Sequence, residues 1–257
     1  MFVFSLLNAW YFYIAKKASF PVVFTSFSLE GKLLKPIFNV GLSAMMLQFM
    51  FFLQQVVVFR SIAHYGDDYD ITFMGACYRV LLLVILPGYG FAQAMQPIVG
   101  INFGAGLYAR VKKAFRSFMV AYTIMLLIIL AFAIVFPRVT LAWMIPDTEF
   151  SQVDILNYQI MMSCLPLYPY FLMTTTLFQG IGEGRAAAFL LVARTALFFI
   201  PLTLLLPLWY GISGIYMAWL PVSLIMVVLC FWMLRSCLLY TSPSPRDATL
   251  SRMPSSA

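Results

Sequence analysis

Two arginines, Arg79 and Arg194, stand inside long runs of apolar residues. A guanidinium at the middle of a bilayer costs about 2.5–3.5 kcal/mol on insertion scales, so arginines at that depth face a wet cavity, pair with another group, or reach for an interface. Arg79 lies about 13 Å into its run if the helix starts at Ile71 and rises 1.5 Å per residue, close to mid-membrane. Arg194, nine residues beyond Arg185, has a shorter way to snorkel out. Neutral polar groups accompany them. Gln48 and Gln55 are seven apart and share one face of a helix, and Gln54, Gln93, Gln96, Asn39, Asn102 and Gln179 lie in or near other apolar runs. Such groups either tie neighbouring helices together or line a cavity, and spacing alone leaves both uses open. Gln48, Gln55, Arg79 and Arg194 are the candidates for the cavity role.

Backbone chemistry is the second signal. The stretch AQAMQPIVGINFGAG (92–106) ends an apolar run and leads into Arg110, Lys112, Lys113 and Arg116. Pro87, Gly88, Gly90, Pro97, Gly100, Gly104 and Gly106 fall within this run and its exit. Proline deletes a backbone hydrogen bond, and a break at membrane depth survives only where protein or water satisfies the freed groups. Gly100 and Gly104 have the GxxxG spacing that lets helices approach closely. Pro87, Pro97, Gly100 and Gly104 are thus expected to serve helix packing or hinging.

Catalytic chemistry finds little support. Gly211-Ile212-Ser213-Gly214 resembles the GxSG of rhomboid-like intramembrane proteases, but that mechanism needs a base beside the serine. The single histidine, His64, falls in a different loop beside Asp67 and Asp68, so GISG reads as a helix-start turn. The chain has no HExxH, no P-loop and no dinucleotide fingerprint, so no metal or cofactor is expected and any pumping must run on an ion gradient or another subunit. Cys77, Cys164 and Cys230 lie in apolar runs and read as small hydrophobes rather than a disulfide or zinc framework.

These residues must be positioned by membrane helices. The chain is 63% hydrophobic and only 10% charged, with a mean hydropathy of +0.93, far below the roughly one-quarter charged content of soluble domains. About 20 apolar residues cross a bilayer, and the runs 36–59, 71–101, 117–136, 155–179, 186–206 and 212–234 are long enough. Residues 1–15 read as the end of a further helix rather than a signal peptide, lacking a basic start and a small-residue cleavage site. The net charge of +7 comes from basic residues scattered into short loops, which argues against nucleic acid. Loops 16–35, 100–116 and 180–185 carry the basic residues, whereas loops 60–70 and 137–154 carry the acids. The positive-inside rule therefore places 16–35 and 100–116 in the cytoplasm of a multi-pass plasma (inner) membrane protein. Segment 16–35 reads equally as an amphipathic surface helix or a plain linker between two membrane units.

The last residues differ in kind. CLLYTSPSPRD (237–247) is polar and rich in Pro and Ser, and it resembles the translation of a transposase-type sequencing adapter, with SRMPSSA (251–257) matching its far end. Residues 236–257 are accordingly expected to be non-native.

QPIVGINFGAGLYARVKKAF (96–115) resembles the second-half signature of the multidrug and toxic compound extrusion (MATE) family: Gln-Pro, then Gly-x-Asn-x-Gly-Ala, then a basic run. Gly41-Leu42-Ser43 with Gln48 and Tyr65-Gly66 is similar to that family's seventh helix, and Phe178-Gln179-Gly180-Ile181-Gly182 to the end of its tenth. Arg194 with Ile200-Pro201, followed by Gly211–Gly214, is similar to the eleventh helix entering the twelfth. The resemblance implies an all-α membrane protein. Residues 1–15 would end the sixth helix of a twelve-helix transporter, 16–35 would link its two lobes, and 36–235 would form its six-helix C-terminal lobe. It further implies an antiporter, coupled to H⁺ or Na⁺, that exports amphipathic and often cationic organic molecules across the lipid bilayer, with the N-terminal lobe as its missing partner. Family members with a Glu on the seventh helix and an Asp on the tenth use them as a cation site, but residues 36–59 and 155–179 hold no carboxylate. The coupling site is therefore expected to lie outside this chain. A flippase for lipid-linked precursors and a non-transporting assembly protein are the alternatives.

Overall fold

A computed structural model describes residues 10–11, 31–146 and 148–240, with side chains described for 10–11, 45–46, 48–146 and 148–236. The chain divides into two compact units, Met1–Gly41 and Leu42–Ala257. Most of the first unit lies outside the described residues, including the expected helix end at 1–15 and most of the linker 16–35; Trp10 and Tyr11 are both exposed. The adapter-like tail lies outside them too, apart from the helical backbone reaching Tyr240.

Helix α1 spans Gly31–Tyr65, starting five residues ahead of the expected run and taking the end of the linker into the helix. α2, Asp68–Gly104, is capped by a reciprocal box in which Asp67 accepts from the Asp70 N–H and Asp70 accepts from the Asp67 N–H, at 3.1 and 3.0 Å. Asp68 and Asp70 in its first turn also complement the helix dipole. α3 spans Tyr108–Val135 and stops where Pro137 opens the short α4, Pro137–Ala142. A second capping box, Ser151 with Asp154, starts α5, Gln152–Met162.

The run predicted as one helix over 155–179 is broken. A 3₁₀ turn at Leu165–Leu167 separates α5 from α6, Tyr168–Gly180. Pro166 and Pro169 each remove an N–H donor, so the chain cannot stay α-helical there. Ser163 Oγ donates to the Ile160 carbonyl at 2.6 Å and Cys164 Sγ to that of Met161 at 3.1 Å, which satisfies freed acceptors locally.

The next span is α7, Gly184–Val192, a π-helical stretch Ala193–Phe199, α8, Ile200–Leu205, and the short α9, Pro207–Tyr210. Within the π stretch Ile200 N–H reaches back five residues to the Thr195 carbonyl, widening the helix just ahead of Pro201, whose ring would crowd a regular turn. Gly211, at φ +59°, turns the chain into α10, Ile212–Met217, and then α11, Trp219–Tyr240. A Cβ on Gly214 would sit 2.6 Å from the Leu206 backbone. The GISG motif is thus a tight corner, a left-handed glycine followed by one that lets two backbones touch.

α6 is the centre of the bundle. It packs on α2, α3, α7 and α11, and Pro169 and the whole of Phe171–Phe178 are buried. In the Thr174-Thr175-Thr176 triplet at this depth, two hydroxyls bond carbonyls of their own helix while Thr174 Oγ1 is buried without a partner among the described residues. Thr175 Oγ1 donates to the Phe171 and Leu172 carbonyls at 3.1 and 2.9 Å, and Thr176 Oγ1 to Leu172 at 2.8 Å. The outer faces carry exposed apolar stripes, Ile124, Leu127, Ile128 and Val135 on α3 and Leu224, Val228, Phe231 and Trp232 on α11. Five spans among the described residues are long and apolar enough to cross a membrane, and stripes of this kind suit lipid rather than water.

Charge separates along the bundle. Tyr69 Oη donates to Asp154 Oδ2 at 3.0 Å, bringing the starts of α2 and α5 to one end with Asp67, Asp68 and Asp70. At the other end Gly100 meets Gly180, a Cβ on either being 3.0 Å from a carbonyl of the opposite helix, so the basic start of α3 and Arg185 share that end.

Candidate functional site

The residues around Arg194 form a cavity of about 560 Å³. α1 contributes Gln48, Met50, Phe51 and Gln54, and α2 contributes Leu81, Leu82, Ile85 and Tyr89. The broken segment between α5 and α6 contributes Cys164, Leu165, Tyr168, Phe171, Leu172 and Thr175. Leu191, Arg194 and Thr195 enter from α7 and the π stretch, and Trp219 from the start of α11. The two departures from regular helix therefore both sit at the cavity: the proline break presents Tyr168 and Phe171, and the π stretch presents Arg194 and Thr195 side by side. π-helical turns recur at functional sites for this reason, since the extra residue re-aims its neighbours.

Arg194 is half-buried and held from two sides. One terminal N–H donates to Gln54 Oε1 at 3.3 Å, with Gln54 only 2% exposed. Its Cζ lies 5.2 Å from the centre of the Phe171 ring and 5.9 Å from that of Tyr168, within cation–π range. The guanidinium has five N–H donors, and Gln54 is its one hydrogen-bond partner among the described residues. Among the described residues no lining residue is Asp or Glu, and Arg194 is the one charged group in the lining. Trp219 adds an indole N–H that is buried without a partner.

The expected site residues divide. Gln48 and Arg194 line the cavity; Gln55 and Arg79 do not. On α1 the stripe that faces it is Gln48, Phe51 and Gln54, spaced by three, and Gln55 is turned one position away. Arg79 is exposed and does not line the cavity, so the two arginines do not meet in one site. Gln54 was legible as a polar group but not as the partner of Arg194, 140 positions away. The aromatic wall of Tyr168 and Phe171 had a signal in the Pro-Leu-Tyr-Pro-Tyr-Phe sequence at 166–171, where prolines and rings crowd together.

The packing residues also differ from the GxxxG reading. Gly100 contacts Gly180 of α6, whereas Gly104 has open space where a Cβ would be. α2 runs through Pro87 and Pro97 without ending. A Cβ on Gly88, beside Pro87, would collide with the Tyr122 ring of α3, which lets these two helices pack closely.

A bundle of apolar spans, with basic loops at one end, acidic loops at the other and a cavity at two helix irregularities, defines an all-helical membrane protein. The family follows from the sequence match: the MatE family model covers residues 43–205, and the chain belongs to that family. Solved structures agree in fold. An outward-facing multidrug resistance MATE transporter of the MOP superfamily superposes with a TM-score of 0.83 at 20% identity, over 94% of this chain and 55% of that one. A MATE in complex with MaL6 gives 0.84 at 20% identity, over 94% and 55%, and a MATE in its straight conformation gives 0.83 at 21%, over 94% and 55%. The chain thus spans about half the length of the transporters it matches. No curated protein matches it.

Proposed function

We propose that this chain is one lobe of an antiporter that exports small amphipathic organic molecules against a flow of H⁺ or Na⁺. The observation that carries the reading is the cavity itself: apolar and aromatic walls of about 560 Å³ with a few polar groups, all at one junction of α1, α2, α6 and the π stretch. Walls of this composition hold varied apolar bodies loosely, while the polar groups set orientation. Alternating access requires a second lobe rocking against this one about a shared site, so transport belongs to the two lobes together. The family is one of transporters, and we read the chain as moving its substrate without changing it.

The separation of charge supports an orientation in the plasma membrane with linker 16–35 and loop 100–116 in the cytoplasm. The coupling ion would bind outside the described cavity, whose lining has no carboxylate. Expression of the gene encoding this chain in a host stripped of its efflux pumps tests the reading. Lower accumulation of amphipathic dyes, reversed by an uncoupler, is expected; unchanged accumulation across cationic, neutral and anionic dyes contradicts it.

A further inference from the structure

We infer that the cavity recognises an amphipathic anion, with Arg194 taking a carboxylate, sulfonate or phosphate group and the rings beside it taking an apolar body. This rests on the transport reading above and names its substrate class. Among the described residues Arg194 is the single charge in the lining, and no acid there offsets it. Phe171 and Tyr168 ease the burial of a cation through their ring faces, but they leave its charge in place. Gln54 accepts one N–H and so steadies the guanidinium without neutralising it. The remaining N–H groups of the fork are free for the bidentate contact that planar oxyanions prefer. Trp219 brings a second unpartnered donor to the same lining. A fixed positive charge with open N–H donors, set in a low-dielectric cavity, attracts an anion and repels an organic cation. The apolar part of such a molecule meets Leu81, Ile85 and Leu172 on the facing walls.

The test uses the full protein encoded by the gene, reconstituted in vesicles. Three aromatic dyes of similar size are compared, one carboxylate, one neutral ester and one quaternary ammonium, alongside a lipid bearing a diphosphate headgroup. Transport of the carboxylate dye or of the diphosphate lipid in preference to the cation is expected, and the arm that moves tells a soluble anion from a lipid headgroup. Arg194→Gln should lower apparent affinity for the anion on the order of 30-fold or more, far more than for the neutral ester, and be partly rescued by Arg194→Lys. A monodisperse profile of each purified variant on size exclusion serves as the folding control. Export of the cation with the anion ignored, or anion transport unaffected by Arg194→Gln, overturns the inference while leaving the transporter reading intact. Failure to move any of the four overturns both.

Discussion

Arg194 works through its neighbours. The buried Gln54 side chain orients the guanidinium, and replacing it with Leu removes the acceptor while keeping the volume. Arg194 is half-buried, so losing this hydrogen bond costs about 0.5–1.5 kcal/mol, and Gln54→Leu should lower the thermal midpoint of the detergent-solubilised protein modestly. It should do so much less in an Arg194→Leu background, where the donor is gone; equal losses in both backgrounds would separate the two residues. The glycines divide just as sharply. Gly100 lies against the Gly180 carbonyl, and a larger side chain must push α2 and α6 apart. Overpacking of this kind costs about 1–3 kcal/mol, so Gly100→Leu should destabilise while Gly104→Leu stays near wild type in the same melting experiment. Periodicity in the sequence showed which polar residues share a side of one helix. It carried no information on which side meets a neighbour, and that is why Gln55 and Arg79 stood beside Gln48 and Arg194 until the helices were placed.

Long spans were readable because apolar length is itself the physical requirement for crossing lipid. Their interruptions were not. The 3₁₀ turn at Leu165–Leu167 and the π stretch at Ala193–Phe199 both lie inside unbroken apolar sequence, and a change of helix type leaves hydrophobicity untouched. Prolines 166, 169 and 201 were the available sign, yet α2 passes through Pro87 and Pro97 without a break, so proline alone does not decide. The GISG corner shows how an element boundary can mimic a catalytic motif. Its glycines are explained by the turn at Gly211 and the contact of Gly214 with Leu206. Ser213→Ala should therefore change stability by less than about 0.5 kcal/mol and leave transport unaltered. Gly214→Val, which drives a branched side chain into the Leu206 backbone, should reduce the amount of folded protein recovered from membranes. Loss of activity on Ser213→Ala in a well-folded protein would reopen the catalytic reading.

At the scale of the molecule, the chain belongs to the MatE family and shares its fold with transporters of which it spans about half the length. The family was legible in the sequence because the Gln96-Pro97 stretch and the basic run to Arg116 lie within the residues the family model matches. Substrate polarity was not, since it depends on which side chains from five segments converge on one cavity. Everything argued for that cavity presumes helices that cross the bilayer with acidic loops on one side and basic loops on the other. Single cysteines introduced at Asp68 and Lys113, in a Cys237→Ser background, test this directly, because among the described residues Cys77, Cys164 and Cys230 are buried. With a membrane-impermeant maleimide, Asp68→Cys should label in intact cells and Lys113→Cys only after permeabilisation. Labelling of both from the same side would contradict the account.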